Sequence, residues 1–106
     1  MNKKDNKKLA IDIAELIDRY EDFKNDELIN DLLYGIIMNR EDGALEDALL
    51  YHLPEFTVTK IKKSLRLLCN RKVIIRFKKE GYTYYKINNE YFIDKPEYNN
   101  IKKYFN

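Results

Sequence analysis

Apolar residues recur first at helical spacing and later by alternation, and the change of period organises the chain. Leu9, Ile13, Leu16, Ile17 and Tyr20 fall on one stripe, with Asp12, Glu15, Asp18 and Arg19 facing away, which predicts a helix from Lys7 to Tyr20. Residues 1–6 are polar and lysine-rich and read as a frayed start. The pattern breaks at Phe23-Lys24-Asn25-Asp26, where Asn25 or Asp26 is the candidate N-cap. Leu28, Ile29, Leu32, Leu33, Ile36 and Ile37 then form a broader stripe, which predicts a more deeply buried helix. Asn39-Arg40-Glu41-Asp42-Gly43 is its stop and turn. A short helix from Leu45 to His52 follows, closed by Pro54, which disfavours helical geometry at Leu53.

Thr57 is the cap candidate of the next helix, where Val58, Ile61, Leu65, Leu68 and Cys69 recur within about 100° of arc. The opposite face carries Thr59, Lys60, Lys63, Arg66 and Asn70, and Leu67 also points off the apolar stripe. After Asn70-Arg71-Lys72 the period becomes two. Val73, Ile75 and Phe77 share one parity against Arg76 and Lys78; past Gly81, Thr83, Tyr85 and Ile87 share a parity against Tyr82, Tyr84 and Lys86. These runs predict a β-hairpin. A two-residue loop Glu80-Gly81 pairs Phe77 with Tyr84 and sets Lys86 on the face of Val73. A three-residue loop Lys79-Glu80-Gly81 pairs Phe77 with Thr83 and keeps one face apolar, so it is the expected one. The tail holds an aromatic pair, Tyr91-Phe92, and after Pro96 a last helix with Tyr98, Ile101, Lys102 and Phe105 at helical spacing.

The chain's 106 residues suffice for one domain, and no repeat or linker divides them. Apolar residues at 44% rule out wholesale disorder. One Cys (Cys69) and one His (His52) cannot build a structural zinc site or an internal disulfide, so no metal is expected and a reducing cytoplasm is the expected compartment. No apolar run approaches the roughly twenty residues of a membrane helix, and Asp12, Glu15 and Asp18 interrupt what would be a leader's apolar core. The acidic pairs Glu21/Asp22, Asp26/Glu27, Glu41/Asp42 and Glu46/Asp47 match no calcium-loop spacing. Without a phosphate loop or a nucleophile–base pair, neither catalysis, a cofactor nor a small-molecule ligand is expected.

Charge changes the picture more than composition does. The net of +2 resolves into −7 over residues 1–56 (seven basic, fourteen acidic) and +9 over residues 57–106 (thirteen basic, four acidic). Residues 57–86 hold ten basic side chains and one acid, Glu80. A basic helix followed by a basic hairpin supplies the attraction that a polyphosphate duplex requires, and the acidic half orients the docked face by repulsion.

From Leu28 to Asn88 the order of helix, short helix, turn, helix and hairpin resembles the winged helix-turn-helix family. The cues are Leu49 and Leu53, Thr57-Val58, Leu65 and Leu68, then Arg71-Lys72-Val73-Ile74 entering the hairpin and Tyr84-Tyr85-Lys86-Ile87 leaving it. Pro54-Glu55-Phe56 takes the place of the usual glycine-containing corner. The resemblance implies an α+β, mostly α domain over 1–106: a helical extension (1–24), a winged-helix core (26–88) and a C-terminal tail or short helix (89–106). It implies a recognition helix in the major groove, with Thr57, Thr59, Lys60, Lys63, Arg66 and Asn70 facing bases or phosphates and Arg66 the candidate for bidentate guanine reading. It implies a wing at Lys78 to Tyr82, with Arg71, Lys72, Arg76, Lys78 and Lys79 facing phosphates. Tyr82 and Tyr84 either touch the sugar-phosphate backbone or pack on the tail aromatics. Leu67 either touches thymine methyls or is buried against another element or copy.

The expected function is sequence-specific binding of double-stranded DNA by a homodimer, or by monomers arrayed on repeated sites. In that form the chain resembles small plasmid or phage proteins that bind a transfer origin or partition centromere, or a transcriptional repressor. The alternative is a protein-interaction module whose basic face meets an acidic partner.

Overall fold

In a computed structural model, which describes residues 3–105, helix α1 (Lys3–Glu21) packs against α2 (Glu27–Met38). α1 starts four residues before the predicted Lys7, and of the expected frayed start residues 1 and 2 lie outside the described chain. Ala10, Ile13, Ala14, Leu16 and Ile17 are its buried stripe; Tyr20, expected inside, is 44% exposed. Asp22, in the left-handed region at φ 62°, ends the helix, and the Phe23 N–H closes back on the Asp18 carbonyl at 3.1 Å. Asp26 caps α2, its carboxylate accepting from the Ile29 N–H at 3.0 Å. All six predicted apolar positions of α2 are buried.

Strand β1 (Ala44–Leu45) leads into α3 (Glu46–His52), then α4 (Val58–Asn70), β2 (Ile74–Lys79) and β3 (Tyr82–Ile87). The chain is α+β and mostly helical, with one three-stranded antiparallel sheet in the order β1-β3-β2. Ile61, Leu65 and Leu68 of α4 are buried, but Val58, in its first turn, is 53% exposed because Ile61 is the first residue to reach the core. The end of α4 repeats that of α1. Lys72 is left-handed at φ 61°, and the Val73 N–H reaches back to the Leu68 carbonyl at 3.0 Å.

The hairpin corrects the expected register. Lys79 pairs with Tyr82 and Phe77 with Tyr84, so the loop is the two-residue Glu80-Gly81, with both φ values positive (55° and 85°) as the twist of a tight hairpin prefers. Val73 belongs to the exit from α4 and Ile74 is the first strand residue. The inward face is therefore Ile74, Tyr85 and Ile87, continued by Arg76, Lys78 and Thr83. Ile75 (39% exposed), Phe77, Lys79, Tyr82, Tyr84 and Lys86 lie on the opposite face.

Two short helices, α5 (Glu90–Ile93) and α6 (Tyr98–Ile101), and a 3-10 turn (Lys102–Phe105) return the tail to the core. Phe92 is fully buried and stacks on Phe105 at 5.4 Å; Ile101 is buried beside them. The Tyr91 hydroxyl donates to Glu21 Oε2 at 2.6 Å, and the Tyr20 hydroxyl to Glu97 Oε1 at 2.7 Å. The apolar surface of α1 and the tail is thus used largely within one chain.

Candidate functional site

Thr57 fixes the start of α4: its Oγ1 accepts from the Lys60 N–H at 3.2 Å. From there Thr59, Lys62, Lys63, Arg66 and Asn70 form the exposed side of the helix. Lys62, Arg66 and Cys69 follow one another at i, i+4 and i+7, along the edge that meets the sheet. Because the two-residue loop sets the parity, Arg76 shares the inward face with Tyr85, and these two with Lys62, Arg66 and Cys69 line an open cleft of about 390 Å³ with Glu46 of α3. Among the described residues, Lys62, Arg66 and Arg76 form no ion pair.

The cleft floor is held by one hydrogen bond. The Tyr85 hydroxyl donates to Glu46 Oε2 at 2.6 Å. Burial first, then this bond to a carboxylate, holds the phenol well above its ordinary range, against the opposing pull of Arg76. Tyr85 is therefore a fixed donor at neutral pH, and Glu46 is oriented by it. Burial likewise pushes the Cys69 thiol up, opposed by Arg76, so the residue is a neutral thiol in the cleft wall.

The remaining sequence-chosen residues separate into distinct places. Lys60 leans towards the acidic corner between α1 and α2, where it lines a hollow with Asp22, Asp26 and Glu27, its ammonium 5.9 Å over the Phe56 ring. Arg71 is tied to Glu21 Oε1 at 3.0 Å and lies 5.8 Å over the Phe23 ring. Lys72 is exposed, and its carbonyl accepts from Asn88 Nδ2 at 2.9 Å. Lys78 extends the Arg76 face of the hairpin, whereas Lys79 and Tyr82 lie on the other face. Tyr84 stacks on Phe77 at 5.5 Å, away from the tail rings, which pack on one another. Leu67 is half-buried against the core.

Lys62 and Glu46 belong to the cleft but were not singled out by sequence. The signal for Lys62 was present, since it stands one helical turn before Arg66 on the side of Cys69. Among the described residues no group of three or more His, Cys, Asp or Glu is arranged to hold a metal ion, and no helix is long and apolar enough to cross a membrane. A scan against protein-family models, a search of curated proteins and a search of solved structures each returned no match.

Proposed function

We propose that this chain is a winged helix-turn-helix protein that binds double-stranded DNA, with α4 as its recognition helix and the Arg76–Lys78 face of the β2–β3 hairpin as its wing. The observation that carries the reading is the convergence of Lys62 and Arg66 from α4 with Arg76 from β2 on one cleft, with no ion pair to neutralise them among the described residues. Guanidinium groups on a helix edge and a facing strand suit phosphate oxygens on both sides of a backbone. Lys63, Thr59 and Asn70 stand on the outer side of the same helix, where base edges would lie in a major groove. Lys78 extends the cation row along the hairpin.

The duplex surface keeps Arg66, Lys63, Thr59, Asn70, Arg76 and Lys78 and gains Lys62. Thr57 serves it as the cap of α4, Lys60 and Arg71 take intramolecular roles, and Lys72, Lys79 and Tyr82 stand outside it. Binding on repeated sites, as a symmetric dimer with half-sites about 34 Å apart per turn or as arrayed monomers, would serve a plasmid or phage origin, a centromere or an operator.

The test is a salt series of duplex affinity for the full chain and for Lys62→Ala/Arg66→Ala/Arg76→Ala. Removing three phosphate contacts should cut the slope of log K against log salt by about 2.7, at about 0.9 per contact. Lys7→Ala/Lys8→Ala, on the exposed side of α1, should leave that slope unchanged. Equal losses in both variants, or displacement of DNA by polyglutamate at equal charge concentration, would defeat the reading, the latter in favour of an acidic protein partner.

A further inference from the structure

The face of the hairpin turned away from α4 carries a second pattern that duplex binding does not use. Ile75, Phe77 and Lys79 of β2 stand beside Lys86, Tyr84 and Tyr82 of β3. Phe77 and Tyr84 are stacked with an interplanar angle of 20°. The Lys79 ammonium lies 4.9 Å over the Tyr84 ring and the Lys86 ammonium 5.4 Å over the Phe77 ring. Tyr82 is 55% exposed. None of the six is acidic.

We propose that this outer face is a stacking platform for unpaired bases of single-stranded DNA, distinct from the α4 cleft. The exposed Tyr82 ring and the lysine-covered faces of Tyr84 and Phe77 match bases of any sequence, because every base has a π-face. The lysines over the rings match the strand's phosphates. A base arriving on Tyr84 displaces the Lys79 ammonium, which then has a phosphate oxygen within reach of its flexible stem. Tyr82, Tyr84 and Lys86 are spaced at every second residue, which makes the strip about 14 Å long, room for about two splayed bases.

Two other occupants fit less well. A second copy of the same face would bring its own lysines onto these lysines. An acidic peptide is best held by the forked donors of arginine, and this face carries only lysine.

The strip and the cleft lie on opposite faces of one hairpin, so their ligands can be separated. In fluorescence anisotropy with the full chain, a labelled oligothymidylate of about 10 nucleotides should bind, and Tyr82→Ala should weaken it about fivefold or more while Tyr82→Phe does not. Tyr82 is exposed at the hairpin's end, so its truncation leaves the fold intact, which a thermal melt checks. Lys79→Ala/Lys86→Ala should weaken the oligomer as well. Duplex affinity should stay within about twofold in the Tyr82 variants, and Lys62→Ala/Arg66→Ala/Arg76→Ala should reverse the pattern. Absent or Tyr82-independent binding of the oligomer overturns the proposal. So does an equal loss of duplex and single strand in Tyr82→Ala, which makes the strip part of the duplex surface. A tenfold preference for oligouridylate overturns the assignment to DNA, and equal competition by polyglutamate overturns the assignment to nucleic acid.

Discussion

Gly43 and Gly81 both have positive φ, 90° and 85°, but their surroundings differ, and the pair separates backbone strain from packing. A Cβ at Gly81 meets nothing within 4 Å. A Cβ at Gly43 would lie 2.6 Å from Phe77 Cζ, 3.0 Å from Phe77 Cε1 and 3.3 Å from Tyr84 Cβ. Placing an alanine in the left-handed region costs about 1–2 kcal/mol, offset by about 0.4–1 kcal/mol because alanine also restricts the unfolded chain. Gly81→Ala should therefore lower stability by up to about 1.6 kcal/mol. Gly43→Ala adds an overpacking cost of about 1–3 kcal/mol, since the Phe77 ring is held from behind by its stack on Tyr84. The expected loss is about 1–4.6 kcal/mol, always about 1–3 kcal/mol more than at Gly81, out of a total of about 5–15 kcal/mol for a domain of this size. At roughly 4–8 °C per kcal/mol, Gly43→Ala should melt about 4–24 °C below Gly81→Ala, which should itself stay within about 13 °C of the parent. Urea titration followed by far-ultraviolet circular dichroism gives both differences on one scale. Equal losses, within about 0.5 kcal/mol, would show that Phe77 yields freely and would refute the packing argument.

Three further outcomes follow from the same geometry. Asp18, raised by burial and by the neighbouring Glu15 carboxylate, has a buried Oδ1 with no hydrogen-bond partner. Its folded-state pKa lies above the unfolded one, so the ionised group costs stability at neutral pH; Asp18→Asn should be modestly more stable in urea melts at pH 7, and the gain should vanish below about pH 4. Cys69 should react with iodoacetamide several-fold more slowly than a free thiol at neutral pH, accelerate as the pH rises beyond 9.0 and be shielded further by duplex DNA; fast, DNA-independent alkylation would remove it from the cleft. Arg71→Ala should cost about 1 kcal/mol through its ion pair and ring contact, yet leave the salt slope unchanged, whereas Arg66→Ala should lower that slope by about 0.9.

Helices α1, α2 and α4 were legible because each buries a stripe whose period the sequence displays, and the caps at Asp26 and Thr57 mark two of their starts; α5, with four residues and only Phe92 buried, was not. The existence of the hairpin was legible, but its register was not. Val73, Ile74 and Ile75 are three successive β-branched residues, so alternation alone permits either parity. The choice is made by the left-handed turn at Lys72, which consumes Val73 before the strand begins. β1 has two residues, too short for any period to show. At the site, the concentration of cations was visible along the chain, but which of them share a surface depended on that register. It also depended on acids distant in sequence: Glu21 holds Arg71 across 50 positions, and Lys60 sits beside the acids of the first helical corner.

Glu21 joins three parts of the chain that are made at very different times. One carboxylate oxygen binds Arg71 at the end of α4 and the other binds Tyr91 in the tail, 50 and 70 residues downstream. During synthesis, α1 can coil as soon as it leaves the ribosome, but its closing contacts remain unborn until Arg71 and then Tyr91 have emerged. This domain thus closes only after its hairpin: Phe92, fully buried, cannot seat until the ribosome tunnel has released α5 and α6. A chain stalled after the hairpin would display an uncovered core rather than a smaller finished domain, which makes it a natural target for holding chaperones and proteases.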